Sequence, residues 1–214
     1  MTARDYSSID NLLINLDQAI RTVFGRPPTT GRGNPAGNAE ETDLLPADQQ
    51  QSARLLRVNH CGEICAQALY QGQALTARNE AVRERLEQAA AEESDHLDWC
   101  AARLRQLDDH TSLLNPLFYA GSFAVGALSG TLGDRWNLGF LAETEHQVVR
   151  HLETHLERMS SQDHKSRAIL EAMKDDEDHH ATMAREAGGA RLPLPARLLM
   201  QAAAKLMTKT TYWI

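Results

Sequence analysis

Apolar residues recur every three or four positions along most of this chain, the spacing that lines one face of an α-helix. Residues 9–24 predict a short amphipathic N-terminal helix, and four long helices follow: Asp48 to about Thr76, Glu80 to Leu107, Asp134 to Met159 and Asp163 to Ala187. Short turns fall near positions 78 and 161. Asp48, with Gln51 three residues on, is the expected N-cap of the first long helix. Before it, Gly25 to Asp43 holds four Gly, three Pro and two Asn, a composition that predicts a flexible linker. The chain thus divides into an arm (1–24), a linker (25–47) and a helical domain (48–214). Thr111 to Gly133 carries no charge over 23 positions, long enough for a membrane span, although Pro116, four Gly and three Ser weaken that reading. The tail, 196–214, gathers Leu198, Leu199, Ala202, Leu206 and Trp213 largely on one side, with Arg197, Lys205 and Lys209 elsewhere, as an amphipathic helix does.

Composition agrees with an all-α protein: 42% of the 214 residues are apolar, only 5% aromatic. The net charge of −7 and the absence of any long basic run exclude a broad nucleic-acid surface. Three Cys without metal-knuckle spacing exclude a disulfide scaffold and favour a reducing compartment. Arg4, Asp5, Asp10 and Asp17 speak against a secretory signal.

Three Glu-x-x-His pairs occur, Glu93/His96, Glu143/His146 and Glu177/His180, where chance would give roughly 0.6. Helical phase separates them. Glu93 and His96 interrupt the apolar stripe Val82, Leu86, Ala89, Cys100, Leu107; Glu177 and His180 interrupt Leu170, Met173, Ala184, Ala187. Glu143 and His146 instead continue into Arg150, Glu153 and Glu157, a polar surface stripe, so that pair reads as a decoy. The same test finds Glu63 among Leu56, Asn59, Ala66 and Tyr70, and Glu145 among Leu138, Leu141, Val148 and Leu152. Four helices therefore each aim one Glu at the core, and four buried carboxylates demand cations.

Turn symmetry gives an independent check. Glu63 and Glu93 lie 15 residues either side of position 78, and Glu145 and Glu177 lie 16 either side of position 161, so each pair should face across its hairpin. The 52 residues from Glu93 to Glu145 require a crossover between the hairpins. One Glu, then Glu-x-x-His, in each of two such hairpins is the arrangement of ferritin-like di-iron and di-manganese carboxylate bundles. Mixed oxygen and nitrogen ligands suit iron or manganese better than structural zinc.

Val58-Asn59-His60-Cys61-Gly62-Glu63, Glu92-Glu93-Ser94-Asp95-His96-Leu97, the Leu114-Asn115-Pro116 to Gly133-Asp134-Arg135 segment, Glu143-Thr144-Glu145 and Asp176-Glu177-Asp178-His179-His180 resemble the bacterial demethoxyubiquinone hydroxylases. The resemblance covers about residues 50–213. It implies a monooxygenase that holds two iron ions and uses O2 to hydroxylate the ring of a prenylated 6-methoxy-3-methyl benzoquinone in ubiquinone biosynthesis. It also implies a peripheral place on the cytoplasmic face of the cell membrane, and a company of other ubiquinone-biosynthesis proteins. The metal ligands expected are Glu63, Glu93, His96, Glu145, Glu177 and His180. No Gly-rich nucleotide fingerprint is visible, so electrons come from NADH without that motif or from a partner reductase.

A single crossing by residues 111–133 would put Glu93 and Glu145 on opposite sides of a bilayer, unable to share a cluster. That segment is therefore expected as a helical crossover that packs on the protein or dips into one leaflet, and with the tail it is the candidate membrane-docking surface. His151, two turns beyond Glu145, is a candidate hydrogen-bond donor behind the ligands. Asp95 and Asp176 point about 100° or more away from the ligand faces and are not assigned as ligands. Cys61, Cys65 and Cys100 read as small core residues.

Overall fold

Proline rather than aspartate opens the first long helix. In the computed structural model, which describes residues 8–214, that helix (α2) runs Pro46–Thr76 with Pro46 in its first turn. A proline there loses no intrahelical bond and arrives with φ already set for the helix. Asp48, expected as the N-cap, sits inside the first turn, where its charge still meets the positive end of the helix dipole. Around α2 lie α1 (Ser8–Phe24), α3 (Glu80–Gln106), α4 (Asn115–Thr131), α5 (Asp134–Arg158), α6 (His164–Glu186) and α7 (Leu194–Thr211), with no strand among the described residues. The first seven residues of the expected arm lie outside those described.

The α2/α3 and α5/α6 hairpins pack into a ferritin-like four-helix bundle, and α4 is the crossover, lying along α2. Asn79 caps α3 by accepting from Ala81 N, and Asp134 at the start of α5 accepts from Arg78 N and Asn79 N, tying the first turn to the end of the crossover. Two apolar clusters fill the bundle. One holds Leu55, Leu56, Trp99, Leu104, Leu152 and Met173; the other holds Tyr70, Leu86, Leu138, Leu141 and Ala184. The predicted ligands lie between them along every core helix.

The crossover hugs α2 because glycines let the backbones touch. A Cβ at Gly126 would lie 2.2 Å from Leu69 O, and one at Gly72 would lie 2.3 Å from Phe123 O. We expect Gly126→Ala to cost about 1–3 kcal/mol through overpacking and to lower the melting temperature by about 2–4 °C per kcal/mol. Gly121→Ala, where a Cβ meets nothing within 4 Å, should leave the melt unchanged or raise it. Equal melts for the two variants would refute this close-approach account.

Residues 25–45, most of the stretch whose composition suggests a flexible linker, lie against the bundle. They run across the bundle through a short 3-10 helix, Pro35–Asn38, and are tied down at both ends. Arg32 bridges Asp95 (2.9 Å) and Asp176 (2.8 Å), while Glu41 pairs with Lys165 (2.7 Å) and the buried Arg103 (3.1 Å). Arg103 in turn pairs with Asp163, the N-cap of α6. The Gly and Pro residues shape this strap; long-range ion pairs, invisible to a local composition, hold it.

Glu143 is likewise no surface residue. It is buried beneath α7, where Arg197 Nε donates to it at 2.9 Å. Arg197 is therefore engaged within the protein, which leaves Lys205 and Lys209 as the tail's exposed cations. No described helix is long and apolar enough to cross a membrane.

Candidate metal centre

All six expected ligands converge. Glu63 comes from α2, Glu93 and His96 from α3, Glu145 from α5, and Glu177 and His180 from α6; none is more than 3% exposed. Their ligand atoms form two overlapping quartets, Glu63/Glu93/His96/Glu177 and Glu93/Glu145/Glu177/His180, each with all its atoms within 4.8 Å of one another. Glu93 and Glu177 belong to both. Residues equally far from each turn thus share a height in the bundle, and those that interrupt the apolar stripes face its centre.

His96 Nδ1 lies 2.8 Å from Glu93 Oε2 and 3.3 Å from Glu177 Oε1, and His180 Nδ1 lies 3.3 Å from Glu177 Oε2 and 3.5 Å from Glu93 Oε1. Both rings thus aim Nδ1 at the carboxylates. Their outer nitrogens are engaged by acids from the opposite hairpin: His96 Nε2 with Asp176 Oδ2 at 2.9 Å, His180 Nε2 with Glu92 Oε2 at 2.7 Å. A carboxylate behind an imidazole fixes its tautomer and orientation, which suits a metal-binding nitrogen on the other side.

The electrostatics are those of a site short of positive charge. Burial pushes Glu63 well above the usual carboxylate range, and burial with the neighbouring Glu177 does the same to Glu145. Burial also opposes ionisation of Glu93, but the two histidines outweigh it and hold Glu93 below its ordinary value. For His180 burial opposes the charged form and is overcome by Glu177 and Glu93, leaving its pKa raised to about 12. Both oxygens of Glu145, and one each of Glu93 and Glu177, are buried without a hydrogen bond. Such orphaned acceptors are costly unless something cationic meets them. The donor set, oxygen-rich with one imidazole per quartet, fits two hard or borderline divalent ions.

His151 does not stand behind these ligands. Its ring lies against His155 at 3.8 Å between centroids, beside a separate cavity of about 400 Å³ reached by Arg158, Lys209 and Tyr212. Its Nε2 is buried without a hydrogen bond. Glu92 and Asp176, by contrast, touch the two histidines directly. Their signal was present as an acid immediately before each Glu of the two Glu-x-x-His pairs. Glu143 and His146 take no part in either quartet. Cys61 and Cys100 are buried free thiols, and Cys100 Sγ–H faces Met173 Sδ at 3.7 Å.

A second cavity, about 580 Å³, opens between α1, α2 and α3. Its wall includes Ile14, Tyr70, Ala74 and Leu75, and it reaches Gln67 and Ser94. Gln67 is one helical turn from Glu63 and Ser94 is next to Glu93, so this cavity approaches the cluster from the side of the first hairpin.

A sequence model of the family described as ubiquinone biosynthesis protein COQ7 matches residues 50–213. A 3-demethoxyubiquinol 3-hydroxylase of Nitrosococcus oceani is 56% identical over 214 residues, the full length of both chains. Proteins of the same name from Pseudomonas fluorescens and Nitrosomonas eutropha are each 53% identical, covering 100% and 97% of this chain and 99% of their own.

Proposed function

Since the chain belongs to the ubiquinone biosynthesis protein COQ7 family, we propose that it is the monooxygenase that hydroxylates the ring of a prenylated demethoxyubiquinol-type precursor, the reduced ring form carried in its relatives' name. The observation that carries the chemistry is the pair of overlapping buried quartets. Two iron ions held by Glu63, Glu93, His96, Glu145, Glu177 and His180 would supply the O2-reducing redox chemistry. The reaction inserts one oxygen atom into a ring C–H bond and consumes two electrons and two protons to release the other as water. Four carboxylates balance the charge of two ferrous ions, so the occupied site is neutral within an apolar bundle. Asp176 and Glu92 hold the two imidazoles in place, and near-complete burial keeps bulk water from the reacting atoms.

The ring's approach is through the α1/α2/α3 cavity. Its apolar wall of Ile14, Tyr70, Ala74 and Leu75 suits the prenyl chain. Electrons come from outside the chain, from NADH or a partner reductase, and other ubiquinone-biosynthesis proteins are the expected company. The substrate's tail resides in lipid, so the protein works as a peripheral protein on the cytoplasmic face of the cell membrane. Leu117, Leu128 and Leu132 of the crossover and Leu199, Leu206 and Trp213 of the tail support that docking, since all are large, apolar and exposed.

A strain lacking this chain and any redundant hydroxylase is expected to accumulate the 6-methoxy precursor without its last ring hydroxyl, and to make ubiquinone again when the gene is restored. Mass spectrometry of lipid extracts reads both. A normal ubiquinone profile in the deletion strain would sink the assigned reaction.

A further inference from the structure

The two histidines of the cluster are backed differently. Asp176, behind His96, is also bound by the Arg32 guanidinium, whose Nη1 donates to Oδ2 at 2.8 Å while Nε donates to the wholly buried Asp95 at 2.9 Å. Thr30 donates to the same Asp95 through both its backbone N–H and its hydroxyl. The guanidinium also lies 5.1 Å over Trp99, whose ring is 5.3 Å from that of His96. Glu92, behind His180, takes a second hydrogen bond only from the neutral amide of Gln88, at 3.0 Å, and no Arg or Lys pairs with it among the described residues.

We propose that Arg32 is a positioning residue for one metal site: the strap clamps Asp176, Asp176 clamps His96, and the quartet containing Glu63 and His96 thereby depends on a segment outside the bundle as the other quartet does not. The physical reason lies in exposure. The Asp176 side chain is 25% exposed and, without a cationic partner, can turn into water and leave His96 Nε2–H unpaired inside the bundle. The imidazole would then be free to rotate its Nδ1 off the metal position. Arg32 suits this task because a planar fork reaches two carboxylates at once, which a lysine ammonium at that place does not.

The inference rests on the reading of the six residues as ligands, and one experiment separates the two. Apo protein, wild type, Arg32→Met and Arg32→Lys, is titrated anaerobically with ferrous iron, and the loaded forms are compared by Mössbauer spectroscopy. Arg32 is more than a third exposed on an extended segment, so the variants should fold, and Arg32→Lys, which keeps the charge, guards against a trivial loss. Wild type should bind two irons with two distinguishable signals. In Arg32→Met one signal should shift and that iron should bind about 10–100-fold more weakly, the usual scale for losing an outer-shell partner, while the other stays put; Arg32→Lys should fall between. Two wild-type signals with unchanged affinities in Arg32→Met would reduce the strap to a mechanical tie, and equal change at both positions would remove the claimed selectivity. A wild-type chain that takes up no iron overturns the ligand reading and this proposal with it.

Discussion

Glu177→Ala should empty both metal positions at once, and with them remove activity by more than about 10³-fold, beyond the cost of losing a single charge-stabilising donor. Glu177 contributes to both quartets, whereas Glu145 contributes to one, so Glu145→Ala should retain about half the metal. Glu143→Ala should retain all of it. Its cost is the partly buried, charge-assisted hydrogen bond with Arg197, about 1.5–3 kcal/mol. Metal analysis of the three purified variants decides the matter; equal losses from Glu143→Ala and Glu177→Ala would mean that phase did not distinguish ligand from decoy. The sign of the pH dependence follows from the same cluster. Burial raises Glu63 and Glu145, so in the metal-free protein they hold protons at pH values where exposed carboxylates have lost them. Metal must displace those protons, hence affinity should rise with pH above the range in which exposed carboxylates titrate, and loading should release protons into a weakly buffered solution.

The second large effect concerns the membrane. Leu199 and Leu206 are 71% and 63% exposed on α7, and each would contribute about 1.5–3 kcal/mol if it reached the acyl region. Replacing both by Asp should therefore weaken binding to anionic liposomes by about 100-fold or more, at 1.4 kcal/mol per tenfold. Turnover of a long-tailed quinol should fall with it, while metal content and turnover of a short-tailed analogue are spared. Lys205 and Lys209 would add headgroup attraction of about 1 kcal/mol each, which high salt should remove. Unchanged liposome binding would free α7 from this role and leave the crossover face and α1, where Leu13, Leu16 and Phe24 are also exposed, to carry it.

The core helices were legible because their apolar stripes obey one period over about four to seven turns, and the candidate site was legible because Glu and His break that stripe in four places at matched heights. What escaped depended on more than one helix. Asp176 looks turned away when α6 is drawn alone, yet that direction is where α3 brings His96, and the same holds for Glu92 and His180. Glu143 follows a polar stripe on α5, and only the docking of α7 buries it. The strap's Gly and Pro content describes what its backbone can do locally; the partners that hold it, Asp95, Asp176 and Arg103, lie 62 to 144 residues away in sequence.

The exchange of outer carboxylates between hairpins has a consequence for assembly. Each imidazole belongs to one hairpin and its supporting acid to the other, and both shared glutamates, Glu93 and Glu177, face across the same seam. Neither half of the chain, made alone, contains a whole binding site for even one ion. Loading is then coupled to closure of the seam: the metal-free protein should open there first, because oxygens of Glu93, Glu145 and Glu177 are buried there without a hydrogen-bond partner, and each bound ion should act as a rivet between the halves. Hydrogen exchange at the facing amides of α3 and α6 would register that closure as protection gained upon loading, with the turns near positions 78 and 161 little changed.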